Sequence, residues 1–225
     1  MTRVLAWSSM KVETLQPTAR FAGVSIYMKN ILFIDGRNFI TKMDWILNPK
    51  NDKKKDIDFS TFDFSGLFNK VLEGVKVDRK IIYMSSLSIH KDTEEKSKQL
   101  IEKQRKLQAS LRKQGFEIII AGRVRANIGR CSKGHETLVF KEKGVDVRMA
   151  VDLISFACDK KVQTAIIASS DSDLQPAIKE LESRGVERIY LGFEDSPNKG
   201  LTYTTNRTIL IRNSEVAEFL PKTLV

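Results

Sequence analysis

Short unbroken apolar runs, each followed by a stretch with helical spacing, constrain this chain most. ILFI (31–34), IIYM (81–84), IIIA (118–121), AIIA (165–168) and IYLGF (189–193) are of strand length and show no polar alternation. A strand that is apolar at every position is buried on both faces, as in a parallel sheet covered by helices on its two sides. The runs predict strands over 29–38, 79–87, 116–123, 163–170 and 186–193. Residues 91–115 read as a long amphipathic helix, with Leu100, Leu107 and Leu111 at helical spacing and Gly115 as its stop. Residues 39–47, 64–74, 144–161 and 174–185 read as further helices, and 48–63 as a polar loop. RVRANIGR (123–130) and HETLVFKEK (135–143) have the alternation of an antiparallel pair. A short helix, a last strand and a terminal helical turn follow over 198–220. The expected fold class is α/β: three layers, with a central, mostly parallel sheet and helices on both faces.

A chain of 225 residues fits one domain and buries a core without disulfide help. Its two cysteines, Cys131 and Cys158, form no CxxC pair, which fits a reducing, cytoplasmic compartment. Cys131 and His135 in CSKGH look like half a zinc site. A structural zinc needs four ligands, and the chain holds only two Cys and two His, so the segment reads as a loop. No apolar run approaches the ~20 residues of a membrane span. The formal net charge of +10 suits a polyanionic partner, nucleic acid first. Residues 1–28 have no steady period and no signal-peptide core. They read as an N-terminal extension before a single domain over 29–225, with Met28 a candidate start.

The polar cluster SSDSD (169–173) sits at the end of an apolar strand, where a turn needs only one or two polar residues. Functional groups of open α/β sheets gather outside the carboxyl ends of the strands. Two strands end in acids, at Asp35 and Asp171, and Asp146 opens a helix. Brought together, such carboxylates repel unless a cation relieves them, and an oxygen-only set suits Mg²⁺ or Mn²⁺. Each acid also has a plainer reading. Asp35-Gly36 fits a turn, Asp146 a favourable helix-dipole position, and Asp173 an N-cap with Pro176 as the third helical residue. Asp152 lies six residues after Asp146, about 240° round the helix, and so cannot closely share its face. Neither His90 nor His135 stands in a triad context. No phosphate-binding P-loop or dinucleotide fingerprint occurs.

ILFIDGRNF, EKGVDVRMAVDLISFA and AIIASSDSDLQPAIKEL, in that order, resemble the NYN family, a branch of the PIN-like nuclease superfamily. The resemblance covers about residues 29–213. It implies a PIN-like sheet, an acidic pocket that binds Mg²⁺ or Mn²⁺, and endoribonuclease activity. It places Asp35, Asp146, Asp171 and Asp173 as metal-binding and catalytic residues, with Asn38, Asp152 and Ser170 in support. Two positions depart from the family pattern: Ser170 stands for the usual Gly of SGDSD, and Leu174 for the usual Phe. Arg37, inside DGRN, is placed either to contact a phosphate or to pair with an acid and dampen metal binding.

A surface for RNA is expected over 123–133. Arg123, Arg125, Arg130 and Lys133 occur there with no acid between them, and such charge suits sequence-independent phosphate contact. The segment holds no aromatic residue on which a base could stack. The helix over 91–115 also carries many cations, but reads as a solvated face. The expectation is a metal-dependent endoribonuclease acting on RNA. The alternative is a non-catalytic RNA-binding or regulatory module that keeps the acidic pocket. The family resemblance is also compatible with a homodimer.

Overall fold

The computed structural model describes residues 28–50, 57–130 and 136–221. Strand β1 (Lys29–Asp35) runs directly into helix α1 (Gly36–Leu47). The strand therefore stops at Asp35 rather than Asn38, and DGRN is not a turn: it starts a helix. Asp35 is the N-cap, its carboxylate accepting from the Asn38 backbone N–H at 3.0 Å. There follow α2 (Phe64–Val71), β2 (Arg79–Ser86), α3 (Glu94–Lys113), β3 (Glu117–Arg130) and β4 (Glu136–Lys143). The chain continues through α4 (Val145–Cys158), β5 (Val162–Ala168), α5 (Gln175–Ser183) and β6 (Glu187–Phe193). It ends with α6 (Lys199–Thr204), β7 (Arg207–Ile211) and α7 (Asn213–Glu218). β3 extends past the predicted 123, because its second half leaves β2 and pairs with β4. No described helix is long and apolar enough to cross a membrane.

The seven strands lie in the order β4-β3-β2-β1-β5-β6-β7. All neighbours are parallel except β3 and β4. The central strands alternate between two cores. Leu32, Ile34, Ile82, Met84, Ile166 and Leu191 face one layer, with Phe39 and Met43 of α1 and Phe68 of α2 packed on them. Ile31, Phe33, Ile81, Tyr83, Ile167 and Tyr190 face the other, against Val145, Met149 and Leu153 of α4 and Ile178 of α5. Ile31 to Ile34 are all fully buried. Each contributes about 1.5–3 kcal/mol by leaving water, which explains why the run is unbroken. The helices after β1 and β2 cover the first face, and those after β5 and β6 the second. This is what right-handed crossovers require when the strand order runs one way from β1 and the other way from β5. The reversal leaves a crevice at the carboxyl ends of β1 and β5, where α/β sheets of this kind bind ligands.

Candidate active site

Asp35 ends β1, and Ser169-Ser170-Asp171 follows β5, so the topology brings both segments to that crevice. Hydrogen bonds fasten them together. Ser169, buried, donates to Asp35 Oδ2 at 3.4 Å, and its Oγ accepts from the Asp171 N–H at 3.1 Å. Ser170 donates to Asn38 Oδ1 twice, from its backbone N–H at 3.1 Å and its hydroxyl at 3.0 Å. Asn198 Nδ2 donates to the Ser170 carbonyl at 2.8 Å. The backbone at Ser170 does not lie in the left-handed region, so replacing Gly there brings no strain.

The cap expected at Asp173 falls instead on Asp171, whose carboxylate accepts from the Asp173 N–H at 2.9 Å and caps a short 3-10 turn, Ser172–Leu174. α5 begins after that turn with Pro176 in its first turn, where a missing N–H is tolerated. This leaves Asp173 exposed at the mouth of the crevice. Asp146 enters from the opposite side, in the first turn of α4. Carboxylate oxygens of Asp146, Asp171 and Asp173 come within 4.8 Å of one another, and none of the three acids is paired with a described cation. Asp35 is not part of this trio. It lies with Glu142, Asp146 and Asp171 along a cleft of about 390 Å³.

Burial is the main reason the Asp35 carboxyl is pushed up from 3.8 to about 6. The backbone hydrogen bond from Asn38 opposes the rise, the charges of Glu142 and Asp171 add to it, and the Ser169 hydroxyl opposes it again. Crowded, partly desolvated oxygens that form no ion pair among the described residues could hold a hard divalent cation.

The NYN domain sequence profile matches residues 29–212. The chain belongs to the NYN domain family. This family falls within the PIN-like nuclease superfamily, and the mostly parallel, helix-covered sheet is the fold expected of it. No curated protein matches the sequence. Among solved structures, a protein of unknown function from Vibrio parahaemolyticus is similar at 18% identity with a TM-score of 0.52; the match covers 82% of this chain and 93% of that one. At that identity the likeness speaks for the fold alone.

Other residues of this NYN domain stand apart from the trio. Asp152 is buried, accepting from the Tyr83 hydroxyl at 3.1 Å and from Arg148 Nε at 2.9 Å. Burial, followed by the charge of Asp152, holds that tyrosine hydroxyl well above its ordinary range. Asp152 thus braces α4 against β2 beneath the cleft. Arg37 is exposed and pairs with no acid of the described residues, so it does not neutralise the cluster. Arg123 is exposed on β3, opposite Lys143 of β4; Arg125 is opposite Lys141 and Arg130 opposite Glu136. Lys133, Cys131 and His135 lie outside the described residues. Glu142 and Asn198 were not singled out by the sequence, and Ser169 only as a member of the SSDSD cluster. Glu142 had a local signal, standing four residues before Asp146 in EKGVD. Asn198 had none, since its contact to Ser170 spans the β6 crossover.

Proposed function

We propose that this NYN domain is a divalent-cation-dependent endoribonuclease whose site is the crevice between β1 and β5. The observation that carries the reading is the convergence of Asp146, Asp171 and Asp173 within 4.8 Å, none of them ion-paired with a cation of the described residues. Such a trio costs stability through mutual repulsion and is relieved by a bound ion. Asp146, Asp171 and Asp173 would hold Mg²⁺ or Mn²⁺, with Asp35 facing the same cleft from below. The ion supplies Lewis acidity: it makes water a usable nucleophile at neutral pH and offsets charge on a phosphodiester. Asn38 and Ser170 position the β5 segment that carries Asp171. Asp152 orients α4, and through it Asp146.

RNA as substrate rests on the family and on charge. Arg123 and Lys143 are like charges directly opposite on the β3–β4 ladder, an arrangement that weakens a sheet unless an anion offsets it. Both are exposed, and Lys143 also borders the acidic cleft. Phosphates held there would lead the backbone into the site; Arg125, Arg130 and Lys133 are proposed to extend that contact. The departure at Ser170 brings no backbone strain, and Arg37 pairs with no acid of the described residues.

The test is cleavage of a labelled single-stranded RNA by wild type and Asp171→Asn, with Mg²⁺, with Mn²⁺ and with chelator. Asparagine keeps the cap to Asp173 but removes the charge. Cleavage by wild type should require the cation and fall at least about a hundredfold in the variant, with the melting transition retained. Equal cleavage by the two proteins would rule out the site.

A further inference from the structure

The face of α1 that points away from the core carries Arg37, Thr41, Lys42 and Trp45. With Asp35 and Glu142 these residues line a second cleft, about 460 Å³, that opens from the acidic site. α1 buries Phe39, Met43 and Leu47, yet leaves Trp45 59% exposed. That is costly for the largest apolar side chain, and the neighbouring residues do not reduce the cost. They fix the ring instead. Lys42 Nζ stands 5.2 Å from the ring centroid, a cation–π arrangement, and is itself held by a 2.7 Å hydrogen bond to Ser196 Oγ. A ring held on one side by a tethered cation and open to solvent elsewhere is a preorganised platform for a flat, electron-poor or neutral π system.

We infer that Trp45 is a base-stacking subsite: it takes an unpaired nucleobase of the RNA strand whose backbone passes the carboxylates, and so gives the site a preference for single strands. This rests on the nuclease reading for its substrate. Trp45 lies ten residues along α1 from its N-cap Asp35, a rise of about 15 Å, so its ring is placed for a base one or two nucleotides along the strand from the acids. Arg37, exposed between the two, is placed for the intervening phosphate. Stacking on an aromatic side chain tolerates any base, because every base has a π face; a base in a duplex has no such face to offer.

The probe is a fluorescein-labelled single-stranded oligoadenylate, and the same strand in a duplex, bound in the presence of chelator so that no cleavage occurs. Trp45→Ala should weaken single-strand binding by about tenfold to a hundredfold and leave duplex binding unchanged, while Trp45→Phe should restore most of the loss. In a Trp7→Phe background, where Trp45 is the remaining tryptophan, the single strand should quench its emission and the duplex should not. Equal single-strand affinity of wild type and Trp45→Ala, or equal loss on single strand and duplex, would overturn the subsite. The nuclease reading is judged separately, by Asp171→Asn with cation present. A stacking loss without any cation-dependent cleavage would keep the subsite and reject the nuclease; cleavage lost in Asp171→Asn with no effect at Trp45 would do the reverse.

Discussion

Ser169 lies between two carboxylates and answers why so many polar residues crowd the end of an apolar strand. Its hydroxyl bridges Asp35 to the Asp171 backbone, Ser170 ties the next residue to Asn38, and Ser172 begins the turn that exposes Asp173. The acids themselves were legible as residue types at strand ends and helix starts. Their division of labour was not, because burial separates Asp35 from the trio and burial depends on both neighbouring strands. That burial makes a prediction. The folded protein releases the Asp35 proton near pH 6, whereas an unfolded chain releases it near 3.8. Between those values the folded state binds more protons, so stability falls as pH rises through the window, by about 2–3 kcal/mol in all. Asp35→Asn keeps the cap and removes the charge. Without divalent cation it should melt higher than wild type at pH 7 to 8, with the gain fading towards pH 4, and it should not cleave RNA. A melting difference independent of pH would contradict this account of Asp35.

At the scale of elements, apolar runs, strand alternation and helical spacing located the described strands and α-helices. The errors fell at junctions: β1 to α1, the end of β3, and β5 to α5, where Asp171 rather than Asp173 is the cap. A run of apolar residues fixes which stretch is buried, but not where pairing moves from one neighbour to another. The β3–β4–α4 junction shows how much depends on that. Gly122, with φ of 68°, and Gly144, with φ of 88°, pack against each other where β3 bends and α4 begins. A Cβ on Gly122 would collide with the Lys143 carbonyl. The same junction sets Glu142 and Asp146 on the cleft, which is why Glu142 escaped a reading based on strand alternation. Gly122→Ala should therefore destabilise the protein by about 1–3 kcal/mol in urea unfolding and weaken Mn²⁺ binding as well. Unchanged stability and cation affinity would show that the junction does not position the acids.

Across the whole molecule, a net charge of +10 coexists with a local concentration of acid at the centre of the sheet. Arg37, Lys42 and Lys143 line the two clefts, Arg123 stands opposite Lys143 and Lys141 two residues before it; they come from α1, β3 and β4, so only the fold gathers them, and the sequence showed the excess but not the path. Binding that rests on phosphates should weaken steeply with salt, and Lys141→Ala with Lys143→Ala should lower the slope of log affinity against log salt by roughly one or two. A slope unchanged by the double variant would place the RNA elsewhere. The central claim is that the crevice between β1 and β5 is a cation site serving phosphodiester cleavage. Calorimetric titration of Mn²⁺ into wild type and Asp171→Asn, with RNA cleavage read on the same samples, tests it most directly. The account predicts binding by wild type, loss of that binding in the variant, and cleavage that follows the bound ion. Wild type that binds no cation, or a variant that binds and cleaves as wild type does, would contradict it.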